Sequence, residues 1–407
     1  MLKRALHPLY RRLETEVHPL RYLFLEITQR CNLECRHCGT DCGRKPRPGE
    51  LSTGEWLAVC DQLARDFDPR HLVVVITGGE PLCCPGLDRL LERLHGHGFS
   101  WGLVTNGWLL HARNIERLLK WGLASATISL DGLREQHDWL RGRAGSFDRA
   151  TAGIRLLAEA NPRFFDVVTC VHPGNLGTLP EIHRLLASLG VPAWRLFPIF
   201  AKGRAQRNQE LLLSPAEFRR MLGFIEQARA SSSGSQSGVA SVSVSVSVSA
   251  SVSAAASAAT SCPAGALSDK GPSSTARPNL SIDLSCEGYL PPCWDRAVRS
   301  EPYFCRAGIC VASVLCDGSI GACPNISRSL VQGNIREVSL KQAWDERFVV
   351  YRDRSWLRVG KCRKCDHFSR CLGNSLHLWD DVSQECGLCT LDLLESTSTS
   401  ASASASD

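Results

Sequence analysis

The sequence predicts an α/β fold: a partial (βα)6 barrel over residues 21–230, followed by a small cysteine-rich domain over 281–392. Three observations predict it. Short β-type runs alternate with helical patterns from Arg21 to Ala230, the mark of βα units on a parallel sheet. From Ser231 the composition collapses into Ser, Val and Ala. Beyond that collapse, 11 of the 20 cysteines fall between Cys286 and Cys389.

The strands read as Tyr22–Thr28, His71–Ile76, Ser100–Val104, Ala124–Leu130, Asp166–Val171 and Ala193–Ile199. The helices between them have legible ends. Ser52-Thr-Gly-Glu55 is a capping box before Trp56–Phe67, and Ser214-Pro-Ala-Glu217 is another, with proline at the first helical position. Gly122 and Gly190 stand where helices should stop. Six such units make an open barrel, and in (βα) barrels the active site forms at the C-terminal strand ends.

Residues 1–20 read as an N-terminal extension, and 231–280 as a low-complexity linker containing Ser241-Val-Ser-Val-Ser-Val-Ser-Val-Ser249. Alternation is formally a strand pattern, but Val is its only sizeable apolar side chain, so disorder is expected. The Ser/Thr/Ala tail within 393–407 reads the same way. A net charge of +6 with dispersed Arg is no nucleic-acid footprint. No apolar run approaches the roughly 18 residues of a membrane span. Twenty cysteines without a secretion signal read as reduced thiols and metal ligands, and the expected location is the cytoplasm.

The densest chemical signal is Cys31, Cys35 and Cys38, spaced C-x3-C-x2-C after the first strand. Electron-transfer clusters take four thiolates. Three on a four-iron cube leave one iron open, and an open metal position is where chemistry occurs. A zinc loop, or closure of the cube by Cys42, would explain the same thiols. The spacing resembles the signature of radical S-adenosylmethionine (radical SAM) enzymes, in which these cysteines carry a [4Fe–4S] cluster. An aromatic residue usually precedes the third cysteine in that family; here it is His37, whose flat ring would lie against adenine.

The strand ends add to this. The second strand runs into Thr77-Gly78-Gly79-Glu80-Pro81, where paired glycines let backbone approach a ligand and the carboxylate can accept from an ammonium group. It resembles the family segment that binds the methionine amino group. Thr105-Asn106-Gly107 and Ser129-Leu130-Asp131-Gly132 end the third and fourth strands. Turn chemistry explains each alone; together they offer groups for ribose hydroxyls and the methionine carboxylate. Arg141 resembles the family's carboxylate-pairing arginine.

Cys305-x12-Gly318-x4-Cys323, followed by Cys362-x2-Cys365-x5-Cys371, resembles the SPASM domain, an extension of radical SAM enzymes that holds two auxiliary iron–sulfur clusters. The resemblance assigns Cys305, Cys310 and Cys323 to one cluster. The other takes Cys362, Cys365 and Cys371 with Cys386 or Cys389. The family's fourth thiol of the first cluster falls at Ser375, which leaves Ser375, His377, Cys316 or an open iron at that position. A metal-dependent fold also suits a loop-rich segment with so small an apolar core.

The resemblance implies an oxidoreductase that cleaves S-adenosylmethionine reductively and takes hydrogen from a peptide or protein substrate. A flavodoxin- or ferredoxin-type reductant would feed it. Formylglycine formation on a sulfatase is an alternative, although the family's catalytic Asp after the Gly-x4-Cys element is replaced by Pro324. A multi-cluster electron carrier or sensor is another; it would need the first cube closed by Cys42 and has no use for Gly-Gly-Glu-Pro.

Overall fold

The computed structural model describes residues 4, 6–233, 280–285 and 288–395. The linker lies outside these residues but for 231–233 and 280, and the tail but for 393–395.

Helix α1 (His7–Val17) leads into β1 (Tyr22–Glu26), and the barrel then alternates strands and helices. These are α2 (Thr53–Asp66), β2 (Val73–Thr77), α3 (Leu87–Gly96), β3 (Ser100–Thr105), α4 (Ala112–Lys120) and β4 (Leu123–Ser129). There follow α5 (Arg134–Arg141), α6 (Ser146–Ala160), β5 (Phe164–Val171), α7 (Leu179–Ser188), β6 (Ala193–Pro198) and α8 (Pro215–Ser233). The predicted punctuation is present. Ser52 and Glu55 exchange both bonds of a capping box, and Gly122 and Gly190 adopt φ of 79° and 77° after α4 and α7. In α3, Leu87, Leu90, Leu91 and Leu94 form the buried stripe of an amphipathic helix.

β1 to β6 lie side by side in chain order, all parallel. Leu23, Leu25, Val74, Ile76, Trp101, Ile128, Val167 and Trp194 fill the core between sheet and helices.

The sheet is wider than six strands. β7 (Ser281–Leu284) pairs parallel with β6, and β8 (Val311–Val314) pairs parallel with β1. β9 (Ile320–Gly321) returns antiparallel on β8. The cysteine-rich region is thus carried on both edges of the barrel sheet. Strands of four residues are too short to show a period in sequence.

The β8–β9 hairpin also sorts the cysteines. Cys310 precedes β8 and Cys316 follows it, so at about 3.3 Å per residue the two backbones stand on the order of 20 Å apart. Continuing the register Ser313–Gly321 puts Cys323 level with Val311, beside Cys310 and away from Cys316.

Candidate active site

The loop that follows β1 is seated by the end of β2. Gly79 N–H donates to Thr28 O at 2.8 Å, and Glu80 N–H to Arg30 O at 2.9 Å. A Cβ on Gly78 would stand 2.3 Å from Thr28 O, and one on Gly79 2.5 Å from Arg30 O. The glycines therefore admit backbone, the two residues before Cys31 among it, where the sequence suggested a ligand.

Glu80 is engaged within the chain. Its buried carboxylate accepts from Thr105 Oγ1 at 2.9 Å, Asn106 N–H at 2.8 Å and Leu82 N–H at 3.1 Å. Three of four acceptor positions are filled, so it ties β2 to β3. Burial pushes its pKa up to about 7 against those donors. Pro81 is buried and starts a short 3₁₀ turn.

Every thiol of the C-x3-C-x2-C loop has a donor at its sulfur. Cys31 Sγ accepts from Leu33 N–H at 3.5 Å and Asn106 Nδ2 at 3.8 Å. Cys35 Sγ faces Arg141 Nη1 at 3.7 Å, and Cys38 Sγ accepts from Cys42 N–H at 3.4 Å. Burial pushes the Cys31 thiol up to about 12 and raises that of Cys35. Cys38 goes the other way, to about 5, because the Cys42 thiol donates to it and Arg204 lies near; Cys42 holds the shared proton. Cys42 also lies 2.9 Å from Thr40 Oγ1.

Arg141 Nη2 stands 2.5 Å from Asp131 Oδ2, so its partner in this structure is internal. Burial raises the Asp131 pKa, but Arg141 and the neighbouring histidines outweigh it and the carboxyl lies below its ordinary range. His37 Nε2 is 3.9 Å from the same carboxylate, and burial lowers its pKa to about 3, so the ring is neutral. Cys170 donates its N–H to Asp131 Oδ1 at 2.8 Å and sets its thiol beside His37 and Asp131. Ser129 is half-buried at the end of β4.

Sequence reasoning missed the clamp from the far side of the barrel. Arg204 donates from Nε to Cys35 O at 2.6 Å and from Nη1 to Cys42 O at 2.8 Å. At Gly203, with φ of 55°, a Cβ would stand 2.3 Å from Cys38 O. Nothing in the triplet Lys202-Gly203-Arg204 signals this.

The strand ends and the cysteine-rich region enclose a cavity of about 660 Å³, which Gly39 and Thr40 of the loop line opposite Pro324, His377 and Trp379. A second, apolar cavity of about 220 Å³ is lined by Cys305, Cys323, Tyr303, Ser375 and His377. Cys310 lies behind Cys305, against Glu14 and Arg306. Ser375 Oγ is within 3.0 Å of Tyr303 OH and accepts from Gly288 N–H at 3.3 Å. Cys316 meets Glu26 instead. His377 packs on Phe200 at 4.7 Å, and its Nε2 is buried without a hydrogen-bond partner.

Behind the dominant effect of burial, Cys389 raises the pKa values of Cys362, Cys371 and Cys386, and Cys365 lies beside Cys362. The hairpin of β10 (Trp379–Asp380) and β11 (Glu385–Cys386) brings Cys386 there, and Asn374 N–H donates to Cys371 Sγ at 3.1 Å. No helix among the described residues is long and apolar enough to cross a membrane.

Three thiols, two buried and Cys38 half-buried, each met by an N–H or guanidinium donor, are the donor set an iron–sulfur cube takes. The sequence profile of the radical SAM superfamily matches residues 25–186, the part of the chain that carries this loop and the first five strands. The chain carries a radical SAM domain. It is an enzyme of that class, whose members use a [4Fe–4S] cluster with S-adenosylmethionine. The iron–sulfur cluster-binding SPASM domain matches residues 305–366.

Among curated relatives, an AdoMet-dependent heme synthase of Oleidesulfovibrio alaskensis is 32% identical over 55% of this chain and 57% of its own length. The sporulation killing factor maturation protein SkfB of Bacillus subtilis is 30% identical over 46% of this chain and 45% of its own. The chain thus spans about half the length of each. The fold matches Streptococcus suis SuiB bound to S-adenosylmethionine with a TM-score of 0.61 at 16% identity, covering 92% of this chain and 80% of that one.

Proposed function

We propose that Cys31, Cys35 and Cys38 hold the [4Fe–4S] cluster, and that the enzyme takes a hydrogen atom from a carbon of a peptide or protein. The observation that carries this is the three-thiol loop facing a 660 Å³ cavity through Gly39 and Thr40. Reduced by one electron, the cluster with S-adenosylmethionine supplies a carbon radical able to attack an unactivated C–H bond.

The chain's own residues do the placing. Glu80 and the glycines fix the loop, and Arg141 sets positive charge beside Cys35. His37, neutral and half-buried, offers a flat face at the strand ends. Cys305, Cys310 and Cys323, and the set around Cys362, would hold two auxiliary clusters, and a flavodoxin- or ferredoxin-type protein would deliver the electron. SkfB, named as a maturation protein, supports a peptide or protein substrate.

A second reading is favoured by the heme synthase relative: a tetrapyrrole in the same cavity. One experiment separates both from a mere electron carrier. Anaerobically reconstituted and reduced protein is assayed for 5′-deoxyadenosine with S-adenosylmethionine alone, with iron-coproporphyrin, and with peptides encoded beside the gene. Release stimulated by a peptide supports the first reading and stimulation by the porphyrin the second. No release under any condition overturns both.

A further inference from the structure

We propose that His377 Nε2 is the fourth ligand of the auxiliary cluster on Cys305, Cys310 and Cys323. The inference rests on the auxiliary-cluster reading above and adds the atom that completes it.

Three observations converge on this ring. Ser375 stands where a fourth thiol is missing, but its hydroxyl is engaged with Tyr303 OH at 3.0 Å and Gly288 N–H at 3.3 Å. A neutral hydroxyl so held is a poor partner for iron. Cys316 is a thiol, but β8 separates it from Cys310, and it meets Glu26 at the barrel mouth. His377 remains, lining the same cavity as Cys305 and Cys323. A buried imidazole nitrogen left without a partner forfeits a hydrogen bond that folding normally supplies. Ligation satisfies it.

Two consequences follow. Replacing one thiolate by a neutral imidazole leaves the cluster less negative, which raises its reduction potential, as histidine ligation does in Rieske centres. His377 also lines the 660 Å³ cavity, so it stands between this cluster and the proposed substrate. An electron left on substrate would meet this ligand first.

The test uses the full chain with Cys31, Cys35 and Cys38 changed to Ala, reconstituted anaerobically, and the unmutated chain in parallel. About eight iron atoms per triple-variant chain are expected, four for each auxiliary cluster. Pulsed electron paramagnetic resonance of the reduced protein should show a strongly coupled nitrogen that is lost in His377→Ala and kept in Cys316→Ala. His377→Cys should keep the iron, lose the nitrogen coupling and shift one potential downward, which separates ligation from mere packing. Full iron with no such nitrogen, or a coupling that survives His377→Ala, overturns the ligand assignment alone. About four iron atoms, unchanged by Cys305→Ala or Cys323→Ala, overturns the auxiliary-cluster reading beneath it.

Discussion

The Arg141 guanidinium bridges Asp131 and Cys35, with Nη2 2.5 Å from the carboxylate and Nη1 3.7 Å from the sulfur. Both charged groups are almost wholly buried. Removing one partner of such a pair leaves an uncompensated buried charge, at a cost of about 3–5 kcal/mol. Arg141→Met should therefore destabilise the chain by about that much, and Asp131→Asn/Arg141→Met by clearly less than the two single changes summed. Denaturant midpoints of the four proteins give the coupling directly. Additive losses would mean that the pair is not an interacting unit.

Cys42 is the test of which thiols serve the cluster. It donates to Cys38 and lies against Thr40, so it reads as a support of the third thiol rather than a fourth corner. Cys31→Ala, Cys35→Ala and Cys38→Ala should each abolish 5′-deoxyadenosine release. Cys42→Ala should stay within a few-fold of the parent. Loss of the N-terminal cluster on Cys42→Ala, read from iron content and the visible spectrum, would restore the electron-carrier reading.

Much of this arrangement was legible because its determinants are local. The six barrel strands, the capping box at Ser52 and the stops at Gly122 and Gly190 each depend on a few adjacent residues, and the structure reproduces them. What was not legible depends on partners far along the chain. β7 and β8 are defined by the edges of β6 and β1 rather than by any period of their own. The clamp by Gly203 and Arg204 exists only because the chain after β6 crosses to Cys35, Cys38 and Cys42. The internal bonds of Glu80 exist because Thr105 and Asn106 of the neighbouring strand end supply its donors. Cys310 and Cys316, neighbours in sequence, are parted by a strand of which sequence gave no sign.

Gly79 offers a sharp steric test. A methyl group there would sit 2.5 Å from Arg30 O and 2.8 Å from Gln29 O, both backbone atoms that cannot swing aside. Gly79→Ala should cost about 1–3 kcal/mol and dislodge the loop that begins at Cys31. The readout is iron, which should fall by about four atoms per chain while iron on the proposed C-terminal clusters persists. Gly223→Ala is the control: it lies in α8 with nothing within 4 Å, so it should leave the iron unchanged and the helix slightly more stable. Equal iron in both variants would show that the loop does not depend on this backbone contact.

Glu80 sets the pH dependence. Burial raises its pKa from 4.5 to about 7 in the folded chain. Between those values the native state keeps a proton that the unfolded chain has released, so stability falls as pH rises through that window and levels off above about 7. At 1.36 kcal/mol per unit, the accumulated loss is on the order of 3 kcal/mol. Glu80→Gln cannot ionise, and its amide carries a fixed penalty for facing the Asn106 N–H. Relative to the parent, the variant should therefore gain about 3 kcal/mol between roughly pH 4.5 and 7, whatever that offset is. Unfolding free energies of the two proteins at matched pH values across the window measure the difference. Parallel curves would mean that the Glu80 carboxyl titrates as it does in the unfolded chain, and that the donors from Leu82, Thr105 and Asn106 fully offset its burial.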